Sequence, residues 1–377
     1  MKRSVTHQKQ LTENDGLHFV SPILQNYKTM NSQLITTTHF DKPLAWKKLL
    51  STITMAALLT IPTLACKFNV TNFLQELNPT GDKDSGGLNY APSQIPADTS
   101  GSFNITTYNI DGFPDYIGGN SNTNATAIAG ILETLALDIV VFQEVFTVTK
   151  HNIFTTNTTT ATYPYRSNHF RGTNISFGDG LMQYSRFPFD KTTAGFNRVR
   201  WAKCSGDLIG YLLGLYANPD CQTEKGFTMS QTEITEDLVI DLYNLHMDAG
   251  GDPASVEART VSMAQLADYI NTVSLGHVVV IAGDFNLEWS DSPENRQIME
   301  QFLADTGITL ACVAMTGSLD NCNNNFNFPD HIGYRNNDSF ALTFLSLEHI
   351  PELIDENGED LSDHKALKAE IAWQRLP

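Results

Sequence analysis

The chain has 377 residues, of which 41% are hydrophobic, and this is sufficient for the core of one large domain or two ordinary ones. Its 42 acidic and 24 basic residues give a formal net charge of −18 at pH 7. An acidic surface argues against tight, sequence-independent binding of nucleic acid, because contacts to phosphates require Lys and Arg. It leaves open a nuclease that holds its substrate through a metal ion.

The N-terminal region predicts export. Residues 1–48 form a polar extension that ends in a lysine-containing segment, and the apolar run LLSTITMAALLTIPTLA (49–65) follows it. A basic flank, an apolar stretch and small residues before Cys66 are typical of a signal peptide, which we place at 49–66. The run begins far into the chain, which suggests Met30 as an alternative start.

Two alternatives to a cleaved signal peptide remain open. One is a single membrane anchor, for which a run of about 17 residues is the lower limit. The other is a lipoprotein that is modified at Cys66. In each case the protein is expected outside the cytoplasm, either secreted or attached to the cell envelope.

Residues 67–101 are rich in Pro, Gly, Ser and Asp, which predicts a flexible linker and a folded domain over 102–377. The cysteines of that domain form two close pairs in the sequence. In an exported protein we expect the disulfides Cys204–Cys221 and Cys312–Cys322. Four cysteines allow three pairings, and proximity in the sequence is the reason for this choice. A zinc site is the competing interpretation, although the chain has no CxxC spacing.

Within the domain, segments with strand-like patterns alternate with helical ones. The strand-like runs are FNITTYNI (103–110), DIVVFQEV (138–145), GLMQYSRFP (180–188), EDLVIDLYNLHM (236–247), HVVVIAGDF (277–285) and KALKAEIAW (365–373). Apolar residues at helical spacing predict helices over 123–135 and 255–273, and residues 340–347 are expected to form a core strand. The prediction is an α/β fold, a four-layer α/β/β/α sandwich with two packed mixed β-sheets between helices.

Several of these segments end in polar side chains that a core does not need. They are Asn109, Asp111, Glu144, His246, Asp248, Asp284, Asn286, Asp330, His331, Asp363 and His364. Most have an ordinary interpretation as a turn residue, a cap, a core histidine or a surface pair. Glu144 directly follows an apolar run, and a buried glutamate needs a partner such as a metal or a histidine. The two-residue spacing of Asp284 and Asn286 predicts side chains on one side of an extended chain.

The segments TYNI, QEV, GDGLMQYSRFP, NLH, GDFN, DHI and SDH, in this order, resemble the endonuclease/exonuclease/phosphatase superfamily. That superfamily includes deoxyribonuclease I, apurinic endonucleases, inositol polyphosphate phosphatases and neutral sphingomyelinases. The resemblance extends over about residues 103–373. GDFN and SDH are weak motifs singly, whereas seven motifs in the right order are specific. The resemblance implies a metal-dependent phosphodiester hydrolase.

The resemblance implies a metal site at three of these positions. Glu144 would coordinate Mg²⁺, and Asn109 would lie at the metal or at the scissile phosphate. Asp363 would be a second carboxylate associated with the metal. Oxygen ligands suit a hard divalent ion, so Mn²⁺ and Ca²⁺ are alternatives, and whether one or two ions act is left open.

The resemblance also implies catalytic roles. His364, oriented by Asp330, would be the general base that activates water, since histidine titrates near neutral pH. Asp284 would align or deprotonate the attacking water, and Asn286 would hold a phosphate oxygen. His246 would stabilise the phosphoryl oxygens or protonate the leaving group.

Within the superfamily, the chain is similar to the secreted sphingomyelinase C-like branch. Segment 201–227 places two cysteines before Lys-Gly-Phe, and NLHMDAG followed by Arg259 is similar to the histidine motif of that branch. One departure is 340–361, which has two phenylalanines and no tryptophan where that branch carries an aromatic hairpin that enters the membrane. We expect a monomer that acts on a phosphodiester, either a phospholipid head group with peripheral membrane contact or nucleic acid.

The alternative function is that of a secreted endonuclease similar to deoxyribonuclease I. The chain has no basic stripe interleaved with aromatic residues, but it has one modest basic cluster that could flank the site. This cluster consists of Arg186, Lys191, Arg198, Arg200 and Lys203. A binding module that kept the scaffold without activity is a third class, and the full set of catalytic residue types argues against it.

Overall fold

The structure is a computed structural model, and it describes residues 98–114, 119–135, 137–170, 172, 177–189, 196–206, 220–289, 292–325 and 329–377. The predicted extension and signal peptide, and the predicted linker up to residue 97, lie outside the described residues. The first strand begins at Ser100, two residues before the predicted start of the domain. In the described ranges, no helix has both the length and the apolarity that crossing a membrane requires.

Two six-stranded sheets are formed by the described residues. In the first sheet the order is β11-β12-β1-β2-β4-β3, and in the second sheet it is β5-β6-β7-β8-β10-β9. The first consists of β1 (Ser100–Asn109), β2 (Ile139–Gln143), β3 (Tyr165–Arg166), β4 (Met182–Ser185), β11 (Phe340–His349) and β12 (Leu367–Arg375). The second consists of β5 (Phe196–Arg200), β6 (Gly226–Glu233), β7 (Val239–His246), β8 (Val278–Asp284), β9 (Thr309–Leu310) and β10 (Asp330–Arg335). Both sheets are mixed, because β1 runs parallel to β2 and β7 runs parallel to β8, whereas β8 and β10 are antiparallel.

The two long helices that cover the second sheet begin where the sequence supplies caps. The helices of the described part are α1 (Asn122–Leu135), α2 (Val148–Asn157), α3 (Pro253–Val273), α4 (Pro293–Thr306), α5 (Ala311–Thr316) and α6 (Leu319–Asn325). Asp252 and Ser292 cap α3 and α4, and a proline in the first turn of each needs no hydrogen-bond acceptor. Gly307 ends α4 in the left-handed conformation with φ 69°.

The four layers follow from the alternation of side chains along buried strands. On β8, Val278 and Val280 face the first sheet, whereas Val279 and Ile281 pack against α3 and α4. On β2, Val141 faces the second sheet, and its neighbours on either side pack against α1 and α2. The predicted α/β/β/α sandwich with two packed mixed sheets is therefore confirmed.

The six predicted strands and two predicted helices are present, with ends that differ by a few residues. Residues 340–347 lie in β11, a strand that puts Phe340, Leu342 and Phe344 in the core, as expected. The sequence analysis missed β6, because its inner face carries Ser230 and Thr232 and hydrophobic alternation is lost. It also missed β10, whose sequence DHIGYR has few apolar residues.

Both predicted disulfides are present. The Cα atoms are 5.2 Å apart in Cys204–Cys221 and also in Cys312–Cys322, within the range that a disulfide requires. Cys312 and Cys322 are buried in the core between the second sheet and its helices. The bond closes a short loop around α5.

We expect the variant Cys312→Ser/Cys322→Ser to be less stable than the wild type by about 2–4 kcal/mol, because the cross-link restricts the unfolded chain. Urea denaturation under oxidising conditions measures this difference. The wild type in the presence of reductant is the control, and it should lose at least as much stability. If the double variant and the wild type unfold at the same midpoint concentration of urea, this pair is not bonded in solution.

Candidate active site

The inner faces of four strands end in polar side chains at the same edge of the sandwich. On β8 the inward residues are Val278, Val280 and Ala282, so the same alternation turns Asp284 inward. Asn109, His246 and Asp330 likewise occupy inward-facing positions on β1, β7 and β10. The registers place Asp284 beside His246 on one neighbouring strand and beside Asp330 on the other.

One carboxylate oxygen is the meeting point of these side chains. Asp284 is 1% exposed, and a buried carboxylate must be supplied with donors. Its Oδ2 lies 3.0 Å from Asn109 Nδ2, 3.2 Å from Asn286 Nδ2, 3.3 Å from His246 Nε2 and 3.8 Å from His364 Nε2. The two sheets and the segment that contains His364 therefore meet at this atom.

His364 lies between β11 and β12 and forms a pair with Asp330. Its Nδ1 is 2.7 Å from Asp330 Oδ2, and nearby Ser362 Oγ donates to the carbonyl of Asn109 at 2.8 Å. Burial lowers the pKa of His364, but the carboxylates of Asp330 and Asp284 raise it more, to about 11. The two acids therefore favour the charged form of this ring.

His246 has the opposite electrostatic environment. It is fully buried, and its Nε2 is 3.6 Å from Glu144 Oε1. Burial lowers the pKa of His246 well below its usual range, and the positive charges of Lys225 and His364 lower it further. Two histidines that approach one carboxylate oxygen therefore have pKa shifts of opposite direction.

Glu144 reaches the site through a β-bulge. Gln143 occupies the inward position at the end of β2, so regular alternation would turn Glu144 toward the helices. Phe142 pairs with Met182, and the next contact is from Val145 N to the carbonyl of Gly180 at 2.8 Å. Two residues of one strand thus oppose one of the other, which is a bulge. Glu144 adopts φ 63°, and its Oε1 accepts from Asn109 Nδ2 at 3.0 Å.

The carboxylates around Glu144 fit a hard divalent cation. Burial raises the pKa of Asp111 to about 8, and the negative charges of Glu144 and Asp363 add to this increase. Burial likewise raises the pKa of Glu144 to about 7, although Lys225 and Asn109 oppose the shift. Mutual repulsion of this kind is relieved by a cation with oxygen ligands. Glu144 and Asn109 would hold it, with Asp111 and the exposed Asp363 nearby.

A second group of three also offers closely spaced ligand atoms. Atoms of Asp284, Asp330 and His364 all lie within 4.8 Å of one another. A cation there would compete with the proton that His364 shares with Asp330 at 2.7 Å. Because a histidine ligand must be neutral, we favour the Glu144 side for the metal.

The sequence matches the profile of the Endonuclease/Exonuclease/phosphatase family over residues 106–364, which is more than half of the chain. The chain belongs to this family. Sphingomyelinases of Mycobacterium bovis and Mycobacterium tuberculosis are 28% identical to it over 295 residues. The match covers 75% of this chain and 56% of each relative, so the chain spans about half the length of these curated relatives.

Solved structures share the fold of this family member. Beta toxin from Staphylococcus aureus superimposes with a TM-score of 0.50 at 16% identity, covering 71% of this chain and 99% of that chain. TDP2 from D. rerio, complexed with a single strand DNA product, superimposes with a TM-score of 0.50 at 14% identity, covering 72% and 98%. Identities this low establish the fold and leave the activity open.

All eight site residues that the sequence predicted lie in this region, but the reason given for Asn286 was wrong. β8 ends at Asp284, and Asn286 lies beyond it with φ 48°, so strand alternation does not apply. A left-handed turn brings its amide back to Asp284, and the same Nδ2 donates to the carbonyl of Met247 at 3.0 Å. With both amide protons directed at the protein, the predicted contact to a phosphate oxygen stays a prediction.

Lys225 is a residue of the site that the sequence analysis did not assign. Its ammonium is buried, lies 2.5 Å from Asp220 Oδ1 and donates to the carbonyl of Met247 at 3.3 Å. Its charge opposes protonation of both Glu144 and His246. The available signal was the Lys-Gly-Phe that follows Cys221, but a lysine among polar residues does not reveal its burial.

Three members of the basic cluster that was expected to flank the site are paired with acids in the described part. Arg198 lies 2.5 Å from Asp179, and Arg186 lies 3.2 Å from Asp138. Lys203 pairs with Glu257. Lys191 lies outside the described residues. These pairs leave less positive charge for a polyanionic substrate than the sequence suggested.

We expect Glu144→Gln to weaken Mg²⁺ binding by about tenfold or more, because the substitution removes a carboxylate and keeps its shape. Calorimetric titration of the substrate-free protein measures the affinity. Glu348→Gln is the control, since that exposed carboxylate pairs only with Lys368 in the described residues, at 2.6 Å. Equal affinities for the two variants would place the cation elsewhere.

Lys225→Met should lower the free energy of unfolding by about 3–5 kcal/mol, because it leaves the buried carboxylate of Asp220 without its partner. Lys368→Met removes an exposed ion pair, and the expected change is below about 1 kcal/mol. Urea denaturation of both variants gives the comparison. Similar losses in the two variants would contradict the buried charge pair.

Proposed function

We propose that the protein is an exported, metal-dependent phosphodiester hydrolase of the sphingomyelinase C type. The observation that carries the proposal is the convergence of two histidines and a carboxamide on one buried carboxylate oxygen, beside a glutamate that fits a cation. His246, His364 and Asn109 come from three separate parts of the chain. A binding scaffold would have no need for one buried and one partly buried histidine with opposite pKa shifts.

Hydrolysis requires that a water oxygen add to phosphorus, that one P–O ester bond break and that the leaving oxygen gain a proton. His246 and His364 supply the neutral and protonated imidazoles that such an exchange needs. A bound divalent cation would neutralise the phosphodiester, polarise the P–O bond and lower the pKa of a nearby imidazolium. The proposal assigns proton transfer to His246 and His364 together. The assignment of His364 as the base stays a prediction, because the carboxylates around it favour its charged form.

The sphingomyelin type is supported by the mycobacterial sphingomyelinases, which are 28% identical, and by the cysteine-bounded segment before Lys225. The pairing of Arg186, Arg198 and Lys203 with acids argues against a nucleic-acid substrate. Because β11 packs its phenylalanines in the core, membrane contact at this strand would be limited to exposed side chains such as Leu345. Export is supported by the predicted signal peptide and by the two disulfides.

The purified protein with Mg²⁺ is expected to release phosphocholine from sphingomyelin vesicles. His246→Ala and His364→Ala should each reduce the rate by about 10²–10⁴-fold, the range for loss of a general acid or base. His277→Ala is the matched control, since His277 also pairs with a buried aspartate, Asp241 at 2.9 Å. It lies at the other end of β8, roughly 20 Å from Asp284, and should leave the rate unchanged.

The same preparation is tested on plasmid DNA and on a chromogenic phosphodiester. Nicking of the plasmid without release of phosphocholine would replace the proposal by the endonuclease alternative. Hydrolysis of neither substrate nor of the chromogenic ester, with Mg²⁺ still bound, would reject an enzyme. A loss of rate in His277→Ala as large as in His364→Ala would contradict the assignment of the site.

A further inference from the structure

Buried polar side chains cross the space between the two sheets directly below the site. Each of them lies at an inward position of its strand, where the side chain is enclosed between the two sheets. These residues are Thr107, Gln143 and Gln183 on the first sheet and Ser230, Thr232 and Asn244 on the second, and none is more than 1% exposed. A polar group in such a place requires hydrogen-bond partners, so its position is more restricted than that of an apolar side chain.

The link closest to the site joins β7 to β2. Gln143 Nε2 donates to Asn244 Oδ1 at 2.7 Å. Asn244 Nδ2 in turn donates to the backbone carbonyls of Phe142 at 3.0 Å and Met182 at 3.3 Å. Each polar atom of the Asn244 side chain is thus bonded to the opposite sheet.

The two carbonyls that Asn244 binds mark the point where β2 and β4 separate. Phe142 and Met182 form the last pair of their register, and the bulge that carries Glu144 follows immediately. Glu144 holds a left-handed backbone with φ 63°, a conformation that a non-glycine residue keeps only where its surroundings fix it. The amide of Asn244 is hydrogen-bonded to both strands at the point where that backbone leaves β2.

We infer that Asn244 is a positioning residue for Glu144, and that it sets the distance between the cation-binding side of the site and His246. Asn244 lies two residues before His246 on β7, so one side chain ties the histidine-bearing strand to the backbone that presents the glutamate. The inference rests on the proposed function only in taking Glu144 as a ligand of the cation.

A second inter-sheet link of the same kind lies one step deeper and provides an internal comparison. Ser230 Oγ donates to Gln183 Oε1 at 2.8 Å, and Gln183 Nε2 donates to Thr232 Oγ1 at 3.3 Å. These bonds also join the sheets, but none of them reaches the backbone of the bulge. If polar links merely hold the sheets together, loss of either one should have similar consequences.

The test compares Asn244→Leu, which keeps the branched shape without the hydrogen bonds, with Ser230→Ala. Both are expected to lose thermal stability. Asn244→Leu should weaken Mg²⁺ binding to the substrate-free protein by about 10–100-fold in calorimetry, the range for residues that hold a metal ligand in place. It should also reduce kcat on sphingomyelin vesicles without raising KM, whereas Ser230→Ala should retain wild-type Mg²⁺ affinity and kcat.

Gln143→Met is the second variant, because it removes the other half of the same link and covers the case in which Asn244→Leu does not fold. We expect it to weaken Mg²⁺ binding in the same direction. Equal Mg²⁺ affinities in the wild type, Ser230→Ala and the folded link variants would overturn the inference. Wild-type protein that binds Mg²⁺ but cleaves no phosphodiester would overturn the proposed function alone, and wild-type protein that takes up no Mg²⁺ would overturn both.

Discussion

A single buried carboxylate oxygen, Oδ2 of Asp284, is the constraint on which the rest of the site depends. Removing an ionised group from water is unfavourable unless donors replace the water. Asn109 donates to this oxygen from the first sheet, and the ring nitrogens of His246 on the second sheet and of His364 before β12 lie 3.3 and 3.8 Å from it. Correct packing of the two sheets therefore brings these side chains together, because a shift of either sheet would separate the charge of Asp284 from part of its partners.

Strand alternation made much of the fold and of the site predictable. Asn109, His246 and Asp284 continue the inward alternation of apolar residues in strands that were predicted, whereas Asp330 lies on β10, which was not predicted and was found through the order of the motifs. The path of Glu144 could not be predicted, since its direction depends on a bulge formed with a distant strand. Lys225 and β6 were missed for a related reason, because their burial is created by partners elsewhere in the chain.

The opposite pKa shifts of the two histidines arise from their positions in the fold rather than from residue type. His364 lies between Asp330 and Asp284, whereas His246 is close enough to the buried Lys225 for that positive charge to lower its pKa. No pattern within either short motif carries this information, because the charges that decide it come from other strands. The same acids that hold a proton on His364 repel one another around Glu144, so the site combines an excess of negative charge with a place for a cation.

Backbone strain in the described residues is concentrated in the same place. Three non-glycine residues, Asp111, Glu144 and Asn286, have a left-handed backbone, and each lies one or two residues beyond the end of a strand that contributes to the site. Glycine adopts this conformation without steric penalty, so replacement at any of the three would relieve strain of about 1 kcal/mol. A laboratory evolution experiment that rewards heat resistance alone would consequently drift toward glycine here. The selected variants would be more stable proteins that had lost side chains of the site.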